Sequence, residues 1–244
     1  MISSTDNPLV KDLLRLHQSR HAREQGLVLV EGRRLIGDCL ATGWDPCHLL
    51  VADDVALPVD WPTSIPVSRR VAERLSQSST ASGYLAVFPR PQPARLDLTA
   101  GGLVLAGVAD PGNVGTLIRT AAACAAGQVV VCGGADPWAA KAVQATAGAI
   151  ARIAVHVIDP VIGPAALAGG HLCALVVSGG TEPNRLPRRR RWLVVGGEAD
   201  GLSQPWRDAC VESCTLPMPG GTESLNAAIA GSIALYVLGH QDRG

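Results

Sequence analysis

The sequence predicts an α/β fold carried by a parallel sheet, and three observations point there. Six short apolar runs in its C-terminal part, residues 103–108, 129–132, 153–157, 172–177, 193–195 and 211–216, are separated by stretches with helical patterning. Their Val and Leu residues run on continuously instead of alternating with polar ones, as strands covered on both faces require. Hydrophobic residues make up 47% of the chain but aromatics only 3%, and the 27 Gly let helices close tightly on strands.

In chain order, a small α/β unit comes first. A polar helix is expected over 7–19, a strand over 27–30, a helix over 31–42 and a strand over 48–51. A helix near 71–76 and a strand over 84–87 complete it. Residues 88–95 then read Phe-Pro-Arg-Pro-Gln-Pro-Ala-Arg, whose prolines forbid regular pairing and give a stiff connector. The expected division is therefore a first domain over 1–90, a Pro-rich linker over 91–100 and a second domain over 101–244. The C-terminal segment ends in a small-residue helix, with Ser224 as its expected N-cap and Asn226 adding an amide just inside.

Charge and cysteines exclude several classes. The 21 basic residues balance 21 acidic ones, so the protein does not coat nucleic acid through bulk charge, although a local basic patch can still grip phosphate. Seven scattered cysteines read as reduced core residues, and Cys210 and Cys214 lack the His spacing of a zinc site, so no metal is expected. No apolar run approaches the roughly 20 residues that span a bilayer, and residues 1–6 lack the basic-then-apolar order of a signal peptide. A cytoplasmic protein is the expectation.

In open parallel sheets, ligands bind beyond the carboxyl ends of the strands. Three loops there are unusual. Asp110-Pro-Gly-Asn113-Val-Gly-Thr-Leu-Ile-Arg119-Thr-Ala follows the first C-terminal strand. Arg119, set among Leu117, Ile118 and alanines, either packs its stem on apolar neighbours at the surface or faces a phosphate or carboxylate. Asn113 and Arg119 would reach the same side only if the helix begins late. Val195-Gly196-Gly197-Glu198-Ala-Asp-Gly-Leu-Ser lies at a later strand end, where Gly196 and Gly197 allow close backbone approach. Glu198 reads as a hydrogen-bond acceptor for a sugar, as a partner for an Arg, or as a solvated loop carboxylate. The third loop, Leu216-Pro-Met218-Pro-Gly-Gly-Thr222-Glu-Ser224-Leu225-Asn226, opens the last helix, whose free N–H groups would favour a negatively charged or carbonyl-bearing ligand group.

These three stretches, in this order and at strand ends, resemble the three motifs of the SpoU (TrmH) family of RNA ribose 2′-O-methyltransferases over roughly residues 101–238. Asn7-Pro-Leu-Val-Lys and Leu29-Val-Glu-Gly-Arg-Arg-Leu resemble the RNA-substrate-binding domain that many members carry in front. The resemblance implies a SPOUT fold with a deep trefoil knot, S-adenosyl-L-methionine as cofactor and a homodimer through the C-terminal domain. Hydrophobic periodicity could not reveal a knot. By the same likeness the cofactor rests on Ser178, Gly179, Gly196, Leu216 and Met218, with Ser224, Leu225 and Ala228 closing the pocket. The chain departs from the pattern at Gly197, where Asn is usual, and at Thr222, where an apolar residue is common.

The implied reaction is attack of a ribose 2′-hydroxyl on a sulfonium methyl, to which alignment and proton removal each contribute. The likeness assigns Arg119 to the hydroxyl, helped by an RNA phosphate. A free guanidinium stays protonated far above neutrality, so Arg119 is expected to position the hydroxyl and phosphate, with Asn113, Glu198, Ser224 and Asn226 orienting it, the ribose and the cofactor. RNA contacts are expected from Lys11, Arg15, Arg20, Arg23, Arg33 and Arg34, whose other reading is a solvated helix face. A second cluster, Arg185 and Arg188 to Arg191, either grips phosphates or keeps a turn solvated. The few aromatics argue against recognition by base stacking.

Large-subunit rRNA is the preferred substrate, by analogy with front domains of this type. A tRNA 2′-O-methyltransferase and a non-catalytic RNA-binding relative are the alternatives. An NAD-dependent oxidoreductase would also alternate strands and helices, but no Gly-x-Gly-x-x-Gly follows the first strand of either part.

Overall fold

The computed structural model describes residues 1–241, with the side chains of Ser19, Arg20, His240 and Gln241 outside that description. The chain packs as two compact units, Met1–Gln92 with Trp138–Ala151, and Pro93–Pro137 with the residues from Arg152 onward.

The first unit runs α1 (Pro8–Arg15), α2 (Ser19–Glu24), β1 (Leu27–Glu31), α3 (Arg33–Ala41), β2 (His48–Ala52), β3 (Ile65–Val67), α4 (Arg69–Leu75) and β4 (Tyr84–Pro89). The strands form one sheet in the order β1-β4-β2-β3, antiparallel at β1-β4 and β2-β4 and parallel at β2-β3. Three details differ from the sequence reading. The single helix expected over 7–19 is two, because Asn7 caps Leu9 N and the first helix ends at Arg15. Edge strand β3 was not anticipated, since Pro66 can sit only on a sheet edge and lowers the strand signal.

The third difference is at Glu31, expected to open a helix, which instead ends β1 with its side chain buried. Its carboxylate accepts hydrogen bonds from Ser76 Oγ (2.7 Å), Gln77 N (3.2 Å), Ser78 Oγ (3.2 Å) and Ser82 N (3.3 Å), fastening the Ser-rich loop before β4. A buried carboxylate is tolerated because so many donors meet it.

The second unit holds β5 (Gly102–Ala106), α5 (Pro111–Ala123) and β6 (Gln128–Cys132). Next in the chain comes α6 (Ala140–Ala145), which belongs to the first unit. There Gln144 donates to Glu31 O at 2.7 Å and Trp138 tilts against Trp44 at 6.2 Å between ring centroids. The second unit resumes with β7 (Ala154–Ile158), α7 (Gly163–Ala166), β8 (Leu172–Leu175), β9 (Trp192–Gly196), α8 (Gln204–Ala209), β10 (Glu212–Cys214) and α9 (Ala227–Gln241). All six strands pair in parallel, in the order β10-β8-β9-β5-β6-β7.

The continuous Val and Leu runs are central strands. Every residue of β5 and β9 is buried, whereas edge strand β7 alternates. Strand boundaries move by no more than two residues; residues 176–177 lie beyond β8, and Val177 is exposed. The cysteines are all free thiols, four of them buried, but Cys47 is exposed instead of in the core. Among the described residues no helix is long and apolar enough to cross a membrane.

Candidate active site

Three of the strands end in loops that meet. Beyond β5, Asp110 is the N-cap of α5, its Oδ1 accepting from Asn113 N at 2.9 Å, with Pro111 at the first helical position. Beyond β9, Glu198 turns back on this loop. Its Oε2 accepts from Ala109 N at 3.0 Å, and its Oε1 accepts from Asp110 N at 3.4 Å and Asn113 Nδ2 at 2.7 Å. The carboxylate facing Nδ2 leaves the Asn113 Oδ1 to accept from Asn226 Nδ2, at 3.2 Å, in the loop that follows β10. A hydrogen-bonded chain Glu198–Asn113–Asn226 thus ties together the three stretches singled out by sequence.

Asn226, not Ser224, caps the last helix. Its Oδ1 accepts from Ala228 N (2.9 Å) and Ile229 N (3.2 Å), so α9 starts two residues later than expected. Ser224 is exposed in the bend before it. Deeper in, Thr120 and Ser232 hydroxyls meet at 2.9 Å, and Gly231 fits where a Cβ would stand 2.6 Å from Leu117 Cδ2 and 3.1 Å from Val195 Cγ2. The last helix therefore packs on α5 and the end of β9.

Arg119 does not join this chain. The helix begins early, at Pro111, so at about 100° per residue Arg119 points roughly 120° away from Asn113. It is exposed and makes no hydrogen bond or ion pair among the described residues, between buried Leu117, Ile118 and Ala121.

The expected cofactor positions fall into two joined groups. Gly180 N donates to Thr215 Oγ1 at 2.8 Å and Thr215 N to Thr181 O at 3.0 Å, so Ser178 and Gly179 lie beside the segment holding Leu216 and Met218. Gly196 ends β9 against Gly201 and Leu202, with a Gly197–Gly201 bridge closing that loop. Leu216 and Ala228 are buried, Leu225 is 37% exposed, and Ser178 and Gly179 are exposed. Two features of this set suit the expected nucleoside. Gly179, Gly220 and Gly221 have open space where a side chain would stand, and Leu216, Met218 and Leu225 donate their N–H groups to no backbone carbonyl among the described residues. The glycine at 197 has its own reason, since a Cβ there would lie 2.7 Å from Gly107 O. Asp110, Thr120, Thr215 and Ser232 were missed by the sequence reading; only Asp110 carried a signal, an Asp directly before a helix-opening Pro.

Burial pushes the Glu198 carboxyl up, but the bonds from Asn113, Ala109 and Asp110 outweigh it and hold its pKa below the ordinary 4.5. A depressed carboxylate contributes above its unfolded pKa and loses that contribution as pH falls through the folded value. The Asn113 side-chain amide resonances should hold constant near neutrality and move only below about pH 4.5, a step that Glu198→Gln removes.

In the first unit, the expected RNA-contact residues differ from one another. Lys11 pairs with Asp6 and Arg15 with Asp12, each at 3.0 Å, so these charges are partly neutralised at the surface. Arg23 also has a partner. Arg33 and Arg34, at the start of α3, are exposed without an acidic partner among the described residues, and the Arg20 side chain lies outside them.

An open parallel sheet whose carboxyl-end loops form one polar, glycine-rich cradle defines an α/β enzyme built for a nucleotide-like ligand. The profile of the SpoU rRNA Methylase family matches residues 102–236, and that of the MRM3-like substrate binding domain matches residues 7–86. The chain belongs to the SpoU rRNA methylase family. It is an RNA methyltransferase, and S-adenosylmethionine is its methyl donor. It is 28% identical to the 23S rRNA (guanosine(2553)-2′-O)-methyltransferase RlmP of Bacillus subtilis, over 97% of this chain and 98% of that one. It is 31% identical to an uncharacterized tRNA/rRNA methyltransferase of Synechocystis, over 96% and 92% of the two chains. The crystal structure of an AdoMet-bound rRNA methyltransferase from Sinorhizobium meliloti superposes with a TM-score of 0.85 at 25% identity, covering 97% and 96%.

Proposed function

We propose that the enzyme methylates a ribose 2′-hydroxyl of large-subunit rRNA, in the cytoplasm where that RNA is found, with the first unit gripping the RNA. The observation that carries this reading is the Glu198–Asn113–Asn226 chain, which draws three loops together at the carboxyl ends of the strands, with exposed Arg119, unpartnered among the described residues, further along the same helix as Asn113. When bound, S-adenosylmethionine supplies a methyl group on a positively charged sulfur, ready for in-line attack.

The protein's own groups then have separate tasks. Both Glu198 oxygens are occupied by donors, so this carboxylate orients the Asn113 loop and is not a free proton acceptor. Arg119 is a fork of donors that binds an RNA phosphate and holds the neighbouring 2′-hydroxyl in line. Ser178, Gly179, Gly196, Leu216 and Met218 offer backbone to the cofactor, and Leu225 and Ala228 offer apolar surface. Ser224, exposed in the bend, is left to meet the ribose or cofactor.

The reading includes a homodimer. Leu225, Ile229, Ile233 and Tyr236, at 37%, 51%, 42% and 59% exposure, recur every three or four residues at and along α9 and form one apolar stripe. A second copy, packing the same stripe, would cover it. It also includes the trefoil knot that the family likeness implies, with which the return of the chain from edge strand β10 to lay α9 on Leu117 of α5 and Val195 of β9 is compatible.

Mapping ribose methylation across rRNA and tRNA, in cells with and without the protein, tests the substrate. One 2′-O-methyl group should vanish from large-subunit rRNA; a loss confined to tRNA overturns the choice.

A further inference from the structure

The opposite end of the same sheet holds a feature that methyl transfer does not use. A cavity of about 490 Å³ opens at the amino ends of β5 and β9, bounded by Gly101, Gly127, Leu235, Leu238 and the run Arg188 to Arg191. Strands of five residues set it about 16 Å from the loops at their carboxyl ends.

Its four arginines are of two kinds. Arg191 is structural: buried, with Nε donating to Glu212 Oε1 at 2.9 Å and a further bond to Pro187 O. His171 Nε2 lies 3.1 Å from the same Glu212 oxygen, so that carboxylate is spoken for. Arg191 Nη1 is buried and has no hydrogen-bond partner among the described residues. Arg188, Arg189 and Arg190 are exposed. Arg190 reaches only Ala100 O, at 3.5 Å, and Arg188 and Arg189 have no partner among the described residues. The acid that feels Arg190 is Asp97, whose Oδ1 accepts from Thr99 N and Oγ1, at 2.9 and 2.7 Å.

A chain with no net charge thus concentrates positive charge at the mouth of a cavity with apolar walls, Leu235 and Leu238. Three exposed arginines in a row along the chain can meet successive phosphates, and the apolar wall suits the ribose faces between them. We infer that this cavity is a second RNA-backbone site, which holds the phosphodiester chain of the substrate at a distance from the methylated nucleotide. The inference rests on the reading of the enzyme as an RNA methyltransferase.

The test compares the full-length enzyme with a variant carrying Arg188→Ala, Arg189→Ala and Arg190→Ala, titrated with an in vitro transcript of large-subunit rRNA over a range of salt. Affinity should fall tenfold or more, and the slope of log K against log salt should drop by about 2, at roughly 0.7–0.9 for each phosphate no longer neutralised. S-adenosylmethionine affinity and methyl transfer at saturating RNA should be unchanged. Lysines at the three positions should restore most of the slope, which a merely structural role would not predict. If affinity and slope are unchanged in the alanine variant while the unmodified enzyme still methylates the transcript, the second site is wrong and the methyltransferase reading stands. If inorganic phosphate or AMP binds the cavity but RNA affinity ignores the substitutions, the inference likewise fails. If the unmodified enzyme neither binds nor methylates any RNA, the functional reading falls first and takes this site with it.

Discussion

Arg119→Ala is expected to slow methyl transfer by about 100- to 1,000-fold while leaving the thermal midpoint and S-adenosylmethionine affinity within error of the unmodified enzyme. The expectation follows from where the residue sits. Its helix neighbours Leu117, Ile118 and Ala121 are fully buried and carry the packing of α5, whereas Arg119 is exposed and bonds to nothing among the described residues. Truncating it costs the fold little, because exposed substitutions away from special features stay within about 0.5 kcal/mol. It also makes no hydrogen bond to any of the expected cofactor positions. What it removes is a pair of parallel donors for an RNA phosphate and the alignment of the adjacent hydroxyl. Arg119→Lys keeps the charge and loses the fork, so it should recover only part of the rate. Single-turnover transfer with saturating cofactor and RNA is the measurement, and near-normal turnover in Arg119→Ala would falsify the role.

The residue types of this site were legible in the sequence because two of its loops follow the fully buried strands β5 and β9, which announce themselves as Val and Leu runs, while the third follows edge strand β10 and was marked by its Gly-rich bend. Their order in the sheet was not legible. Nothing local says that β9 lies between β8 and β5, so nothing local says that Glu198 meets Asn113, 85 residues away. The cap of α9 was misread because Ser224 and Asn226 are both good N-cap residues, and only the bonds from Ala228 and Ile229 decide between them. The condition set on Asn113 and Arg119, a late helix start, failed for a reason visible in retrospect: Asp110 before Pro111 starts the helix at once. The placement of residues 138–151 depends on Trp44, Glu31 and other groups far earlier in the chain, which no pattern within the segment encodes. Of the arginines at 188–191, sequence offered two readings for the whole run, and the structure divides them: Arg191 is inside, bonded to Glu212, and the other three are outside.

The other large effect concerns Gly196. A Cβ added there would stand 2.3 Å from Gly201 C, 2.5 Å from Gly201 O and 2.6 Å from Leu202 N, all of them backbone atoms that no rotamer change can move aside. Gly196 cannot retreat either, since it pairs with Ala106 at the end of β5 and the rest of β9 is buried. The 197–201 turn must therefore yield, and Glu198 rides on it. Moving that carboxylate releases Ala109, Asp110 and Asn113, so one methyl group at the strand end loosens the link between two loops. Gly196→Ala should cost about 2 kcal/mol or more by denaturant unfolding, in the range of overpacked cores, and should weaken S-adenosylmethionine more than tenfold by calorimetry. Gly179→Ala is the matched control. Its φ of +79° is strained for alanine, yet no atom lies within 4 Å of the added carbon, so its cost should stay near 1–2 kcal/mol and leave Glu198 in place. Separating the two effects requires the Asn113 side-chain amide signal, which should shift in the first variant and not in the second. A Gly196→Ala enzyme with unaltered Asn113 resonances and undiminished cofactor affinity would mean that the turn after β9 does not govern the site.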